Sequence, residues 1–190
     1  MKNPEKNDYN YAVRITGGLL RGRQVKAPAG EIRPAMDRMR ESVFAVLGGL
    51  EGLSFLDIFS GSGVIALEAA SRGAEYIEAV EADPLKRKTL LENSSISPVR
   101  INCRFMSAEL YVKRAKRGFD VIFCDPPFPY RYRRELLQSI ASSCLVKNGS
   151  RLLLHAPRED PIETLPQGLE LGDCREYGRS VVNFYIFFAL

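Results

Sequence analysis

The sequence predicts an α/β fold: a mostly parallel, Rossmann-like twisted sheet, closed by an antiparallel C-terminal hairpin and preceded by a small β-hairpin and helix extension. Three observations predict it. From Leu53 onward, apolar runs of strand length alternate with segments of helical spacing, a pattern that gives a parallel sheet covered by helices on both faces. A glycine-rich turn, Gly61-Ser62-Gly63, separates the first of these strands from its helix. The tail carries two strand-like runs, Leu169 to Tyr177 and Val181 to Phe188, about a turn at Gly178, which reads as antiparallel pairing at a sheet edge.

Each element follows from local chemistry. Val13-Arg14-Ile15-Thr16, the Gly17-Gly18 pair and Gln24-Val25-Lys26 predict a β-hairpin with Arg21 and Arg23 near its tip. After Arg33-Pro34, Asp37 is placed to cap a helix in which Met39, Val43, Phe44, Val46 and Leu47 follow helical spacing up to Gly48-Gly49. A strand over 54–58, a helix over 64–72 and a strand over 76–81 make a βαβ unit. Asp83-Pro84 supplies an N-cap and a proline at the first helical position for a helix to about Asn93. A third strand is expected over 99–105, a helix capped by Ser107 to about Arg117, a buried strand over 119–124, a helix over 133–144 and a strand over 151–155. Residues 1–190 are expected to form one domain, in which 12–50 is the extension and 51–190 the core.

Composition narrows the class. The 190 residues are 45% hydrophobic and 26% charged, which suits one compact unit with a sizeable core. No apolar run approaches the roughly 20 residues that span a bilayer, so a cytoplasmic protein without a membrane partner is expected. Cys103, Cys124, Cys144 and Cys174 are too scattered for a zinc knuckle or a redox pair, and no metal is expected. The net charge of +4 is unevenly placed: residues 1–40 carry nine Lys or Arg against four Asp or Glu, leaving the rest at −1. A basic, glycine-punctuated block suits a phosphate backbone; a solvated basic face reads equally well.

Asp57-Ile58-Phe59-Ser60-Gly61-Ser62-Gly63 lies at the carboxyl end of the first core strand, where open α/β sheets bind ligands. Glycine there lets the backbone turn and approach a ligand. Glu81 ends the next strand, placed to accept hydrogen bonds from ribose hydroxyls, with Ala82 beside it. A nicotinamide cofactor fits these features too. Asp57 before the glycines tilts the reading, because a carboxylate repels a pyrophosphate and attracts a sulfonium and an ammonium. In this the loop resembles the first motif of class I S-adenosylmethionine-dependent methyltransferases. The resemblance implies an adenine contact at Ser107-Ala108, where many members carry an acid; Ser107 serves here or Glu109 reaches back, and Ser107 also reads as a plain N-cap.

The strand over 119–124 delivers Asp125-Pro126-Pro127-Phe128 to the same edge. An exocyclic amine on a base has its lone pair delocalised into the ring, so its alkylation needs alignment more than a strong base. The Asp125 carboxylate and the Pro126 carbonyl are placed to accept the amine hydrogens; Pro127 stiffens the loop, and Phe128 offers a stacking face. His155, the one histidine, reads as a strand-end residue.

With these residues in hand, the chain resembles the bacterial 16S ribosomal RNA (guanine 2-amino) methyltransferases, the RsmD-like family. The resemblance runs from Arg14-Ile15-Thr16-Gly17-Gly18 and Arg21-Gly22-Arg23, through Arg33-Pro34 and Asp37-Arg38-Met39-Arg40-Glu41, to the Asp57 loop and Asp125-Pro126-Pro127-Phe128. It implies S-adenosylmethionine as cofactor, held by the Asp57 loop, Glu81 and the segment containing Arg38 and Glu41. It also implies 16S ribosomal RNA or a small-subunit assembly particle as partner, contacted by Arg14, Arg21, Arg23 and Arg33. Arg131, Arg133 and Arg134 follow the Asp125 loop and are placed to clamp phosphates beside a flipped-out base; a solvated helix start reads nearly as well. A monomer is expected. The family tends to place threonine after Arg-Pro, where this chain has Ala35-Met36. Other readings stay open: methylation of adenine in DNA or RNA, methylation of a protein glutamine, and a nucleic-acid-binding module without catalysis.

Overall fold

The computed structural model describes residues 12–27 and 34–189, apart from the side chains of residues 12 and 34–36. The hairpin strands are β1 (Ala12–Arg14) and β2 (Gln24–Lys26), paired antiparallel with Val13 opposite Val25. Helix α1 (Pro34–Leu47) follows. It starts one turn before the expected cap: Pro34 needs no amide partner in a first turn, and Asp37 sits inside that turn, paired to Arg40 at 2.7 Å.

The core then alternates: β3 (Ser54–Ile58), α2 (Val64–Ser71), β4 (Tyr76–Glu81), a 3₁₀ turn (Pro84–Lys86) running into α3 (Arg87–Ser94), β5 (Ile101–Phe105), α4 (Ala108–Arg114), β6 (Val121–Cys124), α5 (Arg133–Ala141), β7 (Arg151–Pro157), β8 (Leu169–Tyr177) and β9 (Ser180–Phe187). Asp83 caps the turn as expected, accepting from the Leu85 N–H at 2.9 Å. The seven strands lie in the order β5-β4-β3-β6-β7-β9-β8. The first five are parallel, and β9 enters antiparallel between β7 and β8. The expected mostly parallel sheet with an antiparallel C-terminal hairpin is therefore the observed one.

Burial explains why these strands were legible. Every residue of β3 and β6 is buried, as the central strands of a sheet covered on both faces must be. Phe55, Phe123, Leu153 and Val182 pack on one face against α1, α2 and the hairpin's Ile15, Leu20 and Val25; Leu56, Ile58, Ile122, Leu152 and Leu154 pack on the other against α4 and α5. The chain order reverses between β3 and β6, and this switch point opens the cleft in which such sheets bind ligands.

The hairpin is docked rather than free. Ser71 accepts from the Leu20 N–H at 2.8 Å and donates to the Gly17 carbonyl at 2.6 Å. Gly18 has φ +74° and lies so close to α2 that a Cβ there would stand 1.9 Å from the Ser71 carbonyl oxygen, so only glycine fits. The side chain of Asn93 ties the same unit to the core, exchanging two hydrogen bonds with the Lys26 backbone and donating to the Ser62 carbonyl at 2.8 Å.

Candidate active site

The register places the site. Ile58 pairs with Cys124 and Val80, so the loops after β3, β4 and β6 leave one edge side by side. Alternation along the strands puts Asp57, Glu81, Asp125 and His155 on the sheet face that also carries Phe55, Ala79, Phe123 and Leu153.

Asp57 is 1% exposed. Its Oδ2 accepts from the Ser60 hydroxyl at 2.6 Å and the Ala66 N–H at 3.2 Å, while its Oδ1 is buried without a partner. Burial, opposed by the Ser60 hydrogen bond and reinforced by the nearby Asp125 and Glu81 carboxylates, pushes its carboxyl up to about 7. Phe59 follows at φ 65°, the single described non-glycine residue with positive φ. Such a conformation costs on the order of 1–3 kcal/mol, and its ring packs edge-on against Tyr130 at 5.3 Å.

The two glycines do different work. Gly61 has φ +58°, and a Cβ there would meet nothing nearer than the Phe59 carbonyl oxygen at 4.0 Å. Gly63 is also left-handed, but a Cβ there would meet Leu90 Cδ1 at 2.6 Å. Its close approach is to α3, not to a ligand. Glu81 is 6% exposed and binds the loop to the strand end, accepting from the Gly61 N–H at 2.7 Å and the Asp83 N–H at 2.8 Å. Each of its oxygens keeps a lone pair for a hydroxyl.

The other expected cofactor residues have these surroundings. Ser107 is the N-cap of α4, accepting from the Leu110 N–H at 3.2 Å, and Ala108 is 2% exposed in the core. Glu109 does not reach back: it accepts from the Tyr130 hydroxyl at 2.7 Å. Ala82 and Arg38 are exposed. Glu41 lines a polar cleft of about 360 Å³ with Arg14, Thr16, Arg21, Gln24 and Asp37, on the hairpin side.

The Asp125-Pro126-Pro127-Phe128 loop is pinned from both flanks. Asp125 N–H donates to the Ile58 carbonyl at 3.2 Å, and Tyr130 N–H to the Pro127 carbonyl at 2.8 Å. Pro126 is buried and Phe128 is 38% exposed. Arg133 corrects the sequence reading. Its side chain is 3% exposed; Nη1 donates to Asp160 at 2.6 Å and Nη2 to the Phe128 and Pro127 carbonyls at 2.6 and 3.3 Å, while Nε is buried without a partner. A buried guanidinium holding loop carbonyls does not reach RNA phosphates. Arg14, Arg21, Arg23 and Arg131 are exposed, and Arg33 lies outside the described residues.

His155 is the residue that sequence reasoning undervalued. It is 4% exposed, its Nδ1 lies 2.7 Å from Asp125 Oδ1, and its ring meets Phe128 at 5.8 Å. A lone histidine after an apolar run carries no local signal; only the β6–β7 register brings it to Asp125.

A model of the family described as conserved hypothetical protein 95 matches residues 13–186. The chain belongs to this family. YlbH of Bacillus subtilis is 30% identical over 91% of this chain and 98% of its own length. Ribosomal RNA small subunit methyltransferase D of Escherichia coli K12 is 27% identical over 97% of this chain and 94% of its own. The solved structure of Escherichia coli yhhF, 26% identical, covers 95% of this chain and all of its own with a TM-score of 0.86. Family and fold together make the protein a class I methyltransferase with S-adenosylmethionine as cofactor.

The residues present fit that cofactor. Three carboxylates share one face, one of them holding an orphaned buried oxygen, and a ligand bearing a sulfonium and an ammonium relieves their mutual repulsion. No side chain at Gly61 crowds the loop, and Glu81 keeps lone pairs for hydroxyls. Bound there, the cofactor supplies a methyl group on a positively charged sulfur. Among the described residues no group of His, Cys, Asp or Glu could hold a metal, and no helix is long and apolar enough to cross a membrane.

A pH dependence follows from Asp57. Its folded carboxyl titrates near 7, above the ordinary 3.8, so its contribution to stability is complete below about pH 4 and is lost as pH rises through about 7. The loss totals roughly 4 kcal/mol at about 1.4 per unit. Asp57→Asn is expected to flatten that slope in urea unfolding between about pH 4 and 7. Because a cationic ligand favours ionised Asp57, calorimetry near pH 6 in buffers of different ionisation heat should show proton release on S-adenosylmethionine binding by the native protein and less by Asp57→Asn. Equal release by both would remove Asp57 from the cofactor site.

Proposed function

We propose that the protein, a cytoplasmic monomer, transfers the methyl group of S-adenosylmethionine to the exocyclic 2-amino group of a guanine in 16S ribosomal RNA, presented in a small-subunit assembly particle. The observation that carries this reading is the pinned Asp125-Pro126-Pro127-Phe128 loop, which stands beside the Asp57 cleft with a docked basic hairpin in the same chain. The name of the Escherichia coli relative supports ribosomal RNA of the small subunit as substrate.

In this reading Asp125 and the Pro126 carbonyl each accept one amine hydrogen. The nitrogen lone pair then points away from them, toward the cofactor side of the cleft, and the carboxylate stabilises the positive charge that grows on nitrogen as the new N–C bond forms. The amine proton leaves to the Asp125 carboxylate or to solvent. Phe128 stacks on the base, and Arg133, by gripping the Phe128 and Pro127 carbonyls, keeps that ring in place. Arg14, Arg21 and Arg23 contact phosphates beside the hairpin, with Arg131 next to the target base.

Incubation with labelled S-adenosylmethionine and small-subunit particles, followed by nucleoside digestion, tests the proposal: label in 2-methylguanosine is expected, and label in adenosine or in protein alone overturns it. Arg21→Ala combined with Arg23→Ala is expected to weaken RNA binding at about 100 mM salt and to reduce the salt slope by roughly one unit per lost phosphate contact. Cofactor affinity should stay within about twofold. An unchanged slope in filter binding would take the hairpin tip out of the RNA interface.

A further inference from the structure

We propose that His155 is a positioning residue for the transfer: it fixes one oxygen of Asp125 so that the other faces the acceptor amine, and it backs the ring on which the base stacks. The inference rests on the amine-methylation reading of the Asp125 loop and adds a residue to it. Cys124 pairs with Leu154 across β6 and β7, so the next positions, Asp125 and His155, stand side by side where the sheet opens into the cleft. The parity of the strands turns both toward the same face.

A rotating carboxylate presents its two oxygens interchangeably, and an amine that must be aligned gains little from such a partner. Here Oδ1 is engaged at 2.7 Å by an imidazole that is itself 4% exposed and held in a strand paired to β9 through Val182. A carboxylate only accepts, so Nδ1 carries the hydrogen and donates it. Rotation of Asp125 about its terminal bond then costs that hydrogen bond. Oδ2 is left to the substrate, and Asp125 remains 25% exposed toward the cleft. The second contact acts in the same direction. The His155 ring meets the Phe128 ring at 5.8 Å and 64°, while Arg133 holds the Phe128 carbonyl at 2.6 Å. One imidazole thus sets both the amine acceptor and the stacking wall.

The test compares His155→Ala and His155→Asn with the native protein. The Asn Nδ2 stands near the place of the imidazole Nδ1 and still donates, whereas Ala does not. The expected result is a fall in kcat of about 10- to 100-fold for the Ala variant, a rate within a few-fold of native for the Asn variant, and an S-adenosylmethionine Kd unchanged in both by calorimetry. Native kcat in the Ala variant overturns the proposal. So does equal loss in both variants with weakened cofactor binding and lowered Tm, which is the signature of a residue that only supports the strand end. Rates are measured on whichever base the native protein labels. Label on adenine therefore overturns the guanine reading while the Ala-to-Asn comparison still decides the role of His155.

Discussion

Asp125→Ala is expected to lower kcat by about 10²- to 10³-fold with little change in S-adenosylmethionine Kd. A single preorganised partner for charge developing in a transition state contributes roughly 3–4 kcal/mol, and Asp125 is the ionisable member of the loop. In the proposed mechanism its carboxylate accepts an amine hydrogen before transfer and faces a nitrogen that becomes positive during it, so its loss acts on the transition state more than on the ground state. Asp125→Asn keeps an accepting oxygen without the charge and should fall between the two. The Ala variant carries two further marks. It leaves His155 Nδ1 buried without its partner, which costs about 1–3 kcal/mol. It also removes a carboxylate that pushes Asp57 upward, so Asp57 should titrate lower than in the native protein. Single-turnover rates with saturating cofactor, together with the pH dependence of unfolding, measure all three. A near-native single-turnover rate would show that the loop does not align the acceptor.

The sheet and the cofactor loop were legible because their signals are local. Val121 to Cys124 is a continuous apolar run, as a central parallel strand requires, and Asp83-Pro84 announces a helical turn in two residues. Gly61 and Gly63 mark the loop, although sequence does not reveal that Gly63 answers to Leu90 rather than to a ligand. What stayed hidden depends on partners distant in the chain. Arg133 read as a phosphate clamp because arginines after a catalytic loop often are; it is buried because Asp160 and two loop carbonyls meet it from outside its own helix. Ser107 and Glu109 read as candidate adenine contacts, and their hydrogen bonds go to the helix start and to Tyr130. Asn93, Glu68 and Arg40 carried no signal, because polar residues at helical spacing usually face water. Each is buried by the hairpin, which no local pattern docks there.

That docking leads to the largest expected effect on stability. Glu68 has no exposed side-chain surface, and its carboxylate accepts from the Thr16 N–H at 2.7 Å, the Thr16 hydroxyl at 3.0 Å, Arg40 Nε at 3.4 Å and Arg72 Nη1. Arg40, 3% exposed at its side chain, also donates to the Arg14 carbonyl at 3.0 Å. One carboxylate therefore ties α1, α2 and the hairpin together and compensates two guanidinium groups. Glu68→Ala leaves buried Arg40 with Asp37 as its remaining carboxylate and half-buried Arg72 without one, along with an unpaired Thr16 amide. Breaking a buried pair from one side costs about 3–5 kcal/mol. Glu68→Gln retains an accepting oxygen but not the charge and should lose less. Because the hairpin is the unit being released, the Ala variant is expected to be cut faster by trypsin at Arg21, Arg23 and Lys26, whose side chains are already exposed, and to lose affinity for ribosomal RNA. The Asp57–Asp125 cleft should still bind S-adenosylmethionine below the lowered Tm. Urea unfolding, limited proteolysis and calorimetry separate these consequences. A Glu68→Ala protein with native stability and native RNA affinity would mean that the hairpin is held by Ser71, Asn93 and its apolar contacts alone.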